Sequence, residues 1–301
     1  METKEGTFQK QQQDVPGVQS EMNPVPDCGE ETYKGNNRLR GRRVLVTGGD
    51  SGIGRAVTIA MFREGADVCI SYLPSEKKDA DSLKCLLEKE IKNTSGGGSG
   101  GGTTTCGGKF EMIQGDLTCE KFCKDLVEET KNRLGGLDTL VLVAGKQCAK
   151  NCITEITTEQ LMETFQVNVF SMFHIVKAAL PHLSKGSTIT TTTSIEAFSG
   201  SPFLLDYATS KGAIVSFTQS LSKQVAHRGI RVNSVAPGPV WTPIEISGGY
   251  PQDKLSTFGK NTPMGRAGQP SEVAPMYVFL ASCDSTYCTG DIFPVTGGKH
   301  L

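Results

Sequence analysis

This sequence has little with which to cross a membrane, enter a secretory route or hold a polyanion. It contains no run of about 18 apolar residues, so no membrane span is expected. Its start, METKEGTFQKQQQD, lacks the apolar centre of a secretory signal, and the expected compartment is the cytoplasm. Lys and Arg number 31 against 32 Asp and Glu, a formal charge of −1. Without a basic surplus, neutralisation of phosphates cannot hold a nucleic acid, and no such partner is expected. The histidines are only four and stand at no ligand spacing. Apolar residues make up 37%, below the usual ~45–50%. A polar head and a glycine-rich stretch account for part of that deficit.

What is present begins with ten cysteines and 35 glycines. A chain of 301 residues buries a core without covalent staples, and with no leader the thiols are read as reduced. Cys119 and Cys123, like Cys148 and Cys152, stand at a spacing that zinc permits. The first pair falls on a predicted helix, where a stripe of thiols belongs to the core. No metal is expected.

Residues 1–40 are polar and proline-containing, with no helical or alternating period, and read as an extended arm. From residue 41 to 301 the texture is that of one folded unit. Short apolar runs at 42–48, 67–72, 110–114, 137–145, 187–194, 230–238 and 291–298 read as strands. Helical patterns at 52–66, 75–92, 117–134, 157–183, 204–227 and 271–282 separate them. Strands of the buried type alternating with helices predict an α/β fold, a doubly wound parallel sheet of about seven strands in a single domain. Residues 93–108, NTSGGGSGGGTTTCGG, have the composition of a flexible insertion. It joins a helix to the next strand, so it belongs at the amino ends of the strands, away from the ligand edge.

Three features carry chemistry. Thr47-Gly48-Gly49-Asp50-Ser51-Gly52-Ile53-Gly54 joins the first strand to the first helix. Gly48 permits a tight turn, Gly52 lets a pyrophosphate approach the backbone, and Gly54 lets the helix pack on the sheet. The spacing is not that of the dinucleotide fingerprint, and the strand–turn–helix context carries the reading. Asp116, followed by Leu117, stands directly after the third strand. It suits either an adenine amino group or a helix N-cap. Tyr207 and Lys211 stand four apart on one helix face, with Ser194 at the end of a strand and Asn168 inside the preceding long helix. Alone, a Tyr–Lys pair also fits a solvated face.

Taken together these residues resemble the short-chain dehydrogenase/reductase family. Thr47 to Gly54, Asp116, Ala144-Gly145, Asn168, Ser194, Tyr207, Lys211 and Pro237-Gly238 follow the family's order over residues 38–298. MNPVPDCGEETYKGNNRL, TGGDSGIGRA, ISYLP and SPFLLDYATSKGAI look like the stress-associated bacterial oxidoreductases and the plant glucose and ribitol dehydrogenase homologues. The resemblance implies a Rossmann-type domain, an ordered arm and a homotetramer joined through helices 157–183 and 204–227. It implies hydride exchange between a nicotinamide cofactor and an alcohol or carbonyl of a sugar, polyol or small aldehyde or ketone.

In that reading Tyr207 is the general acid/base, its phenolate favoured by Lys211. Ser194 holds the substrate oxygen, and Asn168 supports a relay behind Lys211. Gly48, Ser51, Gly52, Ile53, Gly54, Tyr72, Asp116, Leu117, Ala144, Gly145, Pro237, Gly238, Val240 and Thr242 bind the cofactor together with Tyr207 and Lys211. An NAD site places an acidic residue at the end of the second strand. Here stand Ser71-Tyr72-Leu73, with Asp67 too early and Glu76 too late, and Lys77 and Lys78 follow. The reading favours NADP over NAD. Residues 244–263 form the expected substrate loop. Leu142 and Val143 replace the two asparagines that the family carries there, so an apolar repacking is required. A nucleotide-sensing regulator on the same fold is the alternative, and a structural arm-exchange protein rests on residues 1–40 alone.

Overall fold

The structure is a computed structural model and describes residues 8–95 and 108–301. Seven strands are formed: β1 (Arg43–Thr47), β2 (Asp67–Tyr72), β3 (Phe110–Gln114), β4 (Thr139–Leu142), β5 (Thr188–Thr192), β6 (Arg231–Pro237) and β7 (Ile292–Val295). They make one sheet in the order β3-β2-β1-β4-β5-β6-β7. Every pairing is parallel, from Arg43 opposite Asp67 to Pro237 opposite Val295. The order reverses beside β1, and the carboxyl ends of β1 and β4 part there to leave the ligand crevice of an open α/β sheet.

Helices α1 (Gly52–Arg63), α2 (Lys77–Ser95), α3 (Glu120–Leu134), α4 (Thr158–Phe165), α5 (Ser171–Ala179), α6 (Glu196–Ser199), α7 (Leu205–Val225), α8 (Pro243–Ser247) and α9 (Pro270–Ala281) connect or follow the strands. Side-chain alternation divides the core in two. Val44, Val46, Val68 and Ile70 pack with α1, α2 and α9 on one face. Leu45, Cys69, Leu140 and Ile189 pack with α3, α5 and α7 on the other. Each fully buried Leu, Ile or Val contributes about 1.5–3 kcal/mol, so the two layers carry most of the stability.

The Thr-rich β5 is buried along its whole length. Three of its four hydroxyls find partners, Thr188 on Thr139 (3.2 Å), Thr191 on Thr218 (2.8 Å) and Thr192 on the Tyr277 phenol (2.8 Å), while that of Thr190 has none among the described residues. Leu142 joins the core at the end of β4, and Val143 packs against the opposite layer. Thr47 Oγ1 accepts the amides of Val143 (3.1 Å) and Ala144 (3.2 Å), which ties the crossing of β1 and β4.

Two expectations change. The helix read over 157–183 is broken: a π-helical turn, Gln166–Phe170, separates α4 from α5. Of the stretch 93–108, residues 93–95 continue α2 and residues 96–107 lie outside the described residues. The chain re-enters at Gly108, whose amide bonds Asp67 at the amino end of β2 (3.1 Å).

Residues 8–42 make no sheet and only one short 3₁₀ turn, Gln19–Glu21. Backbone groups that are buried without secondary structure need other partners. Charged side chains of the body supply them. Asp79 accepts the amides of Gln19 (2.6 Å) and Ser20 (3.1 Å). Arg63 donates to the carbonyls of Gly29, Glu30 and Tyr33. Glu64, wholly buried, accepts from the Tyr33 hydroxyl, the amides of Asn36 and Arg38, and the Arg38 guanidinium. Those donors hold its carboxyl below the usual carboxylate range, against the upward pull of burial.

Candidate active site

The carboxyl ends of β1 to β6 open onto a cavity of about 1150 Å³. Drug-sized ligands occupy pockets of roughly 300–1,000 Å³, so this one has room for a dinucleotide and a small co-substrate. Every residue read as cofactor-binding lines it: the turn Gly48 and Ser51 to Gly54, then Tyr72, Asp116, Leu117, Ala144, Gly145, Pro237, Gly238, Val240 and Thr242. Ser194, Tyr207 and Lys211 line it as well. Asn168 does not.

The turn is built for close approach. Gly52 has φ +50°, a conformation that L side chains rarely adopt. A Cβ on Gly54 would lie 1.8 Å from the Gly48 carbonyl oxygen, so only glycine lets α1 start against the sheet. This cradle at a helix N-terminus fits a pyrophosphate. One of its amides is already engaged: Gly52 donates to Oε1 of Gln19 in the arm at 2.6 Å. Nothing in the polar head marked Gln19 for this place, because its role depends on the fold of the arm.

Asp116 accepts the Thr118 amide at 2.9 Å, while Cys119 holds the N-cap position of α3. The carboxylate therefore shapes the loop that lines the cavity, and it is not the helix cap.

Tyr207 and Lys211 come from the first turns of α7 and Ser194 from the loop after β5. The Lys211 ammonium lies 5.4 Å from the centre of the Tyr207 ring and donates to the Thr192 carbonyl at 2.9 Å. Burial pushes Lys211 down to about 8. The Tyr207 phenol is pushed above its ordinary value by burial and then by the charge of Glu245, with a hydrogen bond to Ser194 opposing them. Burial and Glu245 set this direction, and Lys211 is not among the groups that shift the phenol. The phenol is held protonated. The Ser194 oxygen accepts the Glu196 amide at 3.1 Å, which fixes its hydroxyl.

Asn168 sits behind this wall. Its Oδ1 accepts the Lys146 amide at 2.7 Å, and its Nδ2 donates to the Lys146 carbonyl (2.8 Å) and the Ser210 hydroxyl (2.9 Å). The π-helical turn is what aims it there. Such turns insert one residue into a helix and recur at functional sites.

Beyond β2 the arrangement departs from the sequence reading. Glu76, judged too distant, lines the cavity because residues 73–76 fold back, its carboxylate accepting the Leu73 amide at 3.2 Å. Burial pushes it up to about 7. Both carboxyl oxygens of the fully buried Asp50 lack partners among the described residues, and its pKa is raised by burial and then by Glu76. Lys77 and Lys78 turn to Asp81 and Glu21. Neither lines the cavity.

The loop 244–263 carries α8 and the 3₁₀ turn Gln252–Thr257, and the arm lies on it. Trp241, fully buried, stacks on Phe8 with ring centres 3.9 Å apart and donates to the Pro24 carbonyl at 2.8 Å. The Gln13 amide donates to Ile246 O (3.2 Å) and the Ser247 hydroxyl to Pro16 O (2.9 Å). Sequence reading identified both the arm and the loop but gave no sign of their contact.

Known proteins resemble this chain in sequence and in fold. A family model described as Enoyl-(Acyl carrier protein) reductase matches residues 102–300. The chain is 53% identical over 296 residues to the uncharacterized oxidoreductase YghA of Escherichia coli (strain K12), covering 98% of this chain and 95% of that one. It is 42% identical to the glucose and ribitol dehydrogenase of Daucus carota, covering 97% of each. A crystal structure of a short chain dehydrogenase from Burkholderia cenocepacia J2315 in complex with NADP superposes with a TM-score of 0.74 at 29% identity, covering 87% of this chain and 98% of that one.

Proposed function

Since the chain belongs to the short-chain dehydrogenase/reductase family of oxidoreductases, we propose that it exchanges a hydride between a nicotinamide dinucleotide and an alcohol or carbonyl group, with Tyr207 as general acid/base. The observation that carries this reading is the meeting of Ser194, Tyr207 and Lys211 on one cavity wall, with the glycine turn on the same cavity. When bound, the cofactor supplies or accepts the hydride. Gly48 to Gly54 would hold its pyrophosphate, and Val240 and Thr242 its carboxamide.

Ser194 orients the substrate oxygen and stabilises charge that develops on it. Tyr207 gives that oxygen a proton in reduction and takes one in oxidation. A phenol that burial keeps protonated is in the form that donates, and oxidation requires it to give up that proton first. Lys211, anchored by the Thr192 carbonyl, steadies the tyrosine and would hold the cofactor ribose. Asn168 keeps the Lys146 backbone and Ser210 in register behind this pair, where it supports the proton relay.

The solved NADP complex supports NADP. The Glu76 carboxyl supports NAD once it is ionised, because no cation among the cavity-lining residues stands beside it. Exposed Leu161, Met162, Phe170, Phe173 and Leu205 on α4, the π-helical turn, α5 and α7 support a homotetramer through these elements.

The test is Tyr207→Phe. Turnover should vanish while the dissociation constant of the cofactor, followed by its fluorescence, stays within a few-fold. Surviving turnover refutes the role.

A further inference from the structure

The reacting end of the cavity contains two carboxyl groups that the reading above does not use. Glu196 starts α6, directly after Ser194, and Glu245 lies on α8, one turn after Thr242. Both line the same cavity as Ser194 and Tyr207. Neither takes part in an ion pair among the described residues. Glu196 meets the Ser199 hydroxyl at 3.5 Å. The Glu245 carboxyl has no hydrogen-bond partner among the described residues, although burial has stripped it of most of its water. It shares the cavity lining with Tyr207 and Tyr250, where its ionised form would disfavour either phenolate.

An unpaired carboxyl in a desolvated cleft is costly, and such groups collect where a ligand completes them. The position is also held firmly. The arm grips the carboxyl-terminal end of α8, through Gln13 on Ile246 O and Pro16 O on the Ser247 hydroxyl. Lys254 and Lys299 line the same cavity and disfavour a cationic substrate. Burial and the neighbouring Glu196 raise Glu245 to about 8. A neutral carboxyl both donates and accepts, which matches a hydroxyl group.

We propose that Glu245 is a specificity-determining residue that binds a hydroxyl neighbouring the reacting carbon, so that the preferred substrates are polyhydroxylated aldehydes and alcohols of the aldose and alditol class. This rests on the dehydrogenase/reductase reading.

The experiment compares ribitol with cyclopentanol as reductants of the oxidised cofactor, in the wild type and in Glu245→Leu, Glu245→Asp and Glu245→Gln. In Glu245→Leu the ratio of the ribitol KM to the cyclopentanol KM should rise at least tenfold. Glu245→Gln, which keeps the hydrogen-bonding capacity, should return it to within threefold of the wild type. Glu245→Asp, whose shorter arm withdraws the carboxyl, should raise the ratio even if the leucine variant fails to fold. A ratio unchanged within twofold in both Leu and Asp variants overturns the assignment. So does a wild type that oxidises cyclopentanol but no alditol, and then the broader reading still stands. A wild type that transfers hydride to or from no alcohol or carbonyl overturns both.

Discussion

Removing the Phe8 ring should loosen the cover over the substrate loop, and the chain carries its own reporter for that event. Trp241 is its single tryptophan. Phe8 stacks on it with the ring planes 12° apart and meets Phe258 edge-on at 6.2 Å. Each aromatic contact contributes about 0.5–1.5 kcal/mol beyond area burial. The half-buried ring adds roughly 1 kcal/mol of transfer free energy. Phe8→Ala should therefore weaken seating of the first arm segment by about 2–4 kcal/mol, or roughly 30- to 700-fold in the local equilibrium. The Trp241 emission should shift to the red and become more accessible to acrylamide. Because Trp241 precedes α8, which frames the substrate end, the substrate KM should rise more than kcat falls. Global melting should move little, since Asp79, Arg63 and Glu64 still hold residues 19–38. An emission spectrum and quenching constant identical to wild type, with unchanged KM, would refute the view that the arm secures the loop.

Two further outcomes follow from the buried carboxyls. Glu64→Gln should cost about 2–3 kcal/mol at neutral pH, because several donors lose their charged acceptor. The folded pKa of Glu64 lies below its unfolded value, so its contribution is present above the ordinary carboxylate range and fades as pH falls through the folded value. Urea melts should accordingly show a shallower acid limb in the variant, and an identical limb would count against the latch. Glu76, raised to about 7 with Asp50 and Asp79 beside it, ionises as pH rises through that value. The dissociation constant for NADPH relative to NADH should then climb about tenfold between pH 6 and 8, near 1.4 kcal/mol of repulsion at the 2′-phosphate. Glu76→Gln should flatten the trend, and a wild-type ratio indifferent to pH would show that Glu76 does not face that phosphate.

Local pattern was enough for the sheet and its helices. Buried-type runs at 42–48, 187–194 and 230–238 read as interior parallel strands and form as Arg43–Thr47, Thr188–Thr192 and Arg231–Pro237, and glycine at 54 is compulsory where a helix begins against a strand. The cavity-lining residues were legible for the same reason: they lie at strand ends, whose position is set by periodicity and turn chemistry. Other features needed the folded chain. Asn168 was read on an ordinary helix, because a π-helical turn leaves no mark on apolar spacing. Glu76 was set aside on sequence distance, yet a fold-back of three residues brings it to the cavity. The sign of the Tyr207 perturbation depended on Glu245 and on burial, neither visible from a Tyr–Lys spacing. The arm is the clearest case. Its order comes from Asp79, Arg63, Glu64 and Trp241, residues far away along the chain, and such long-range pairing has no local period to betray it.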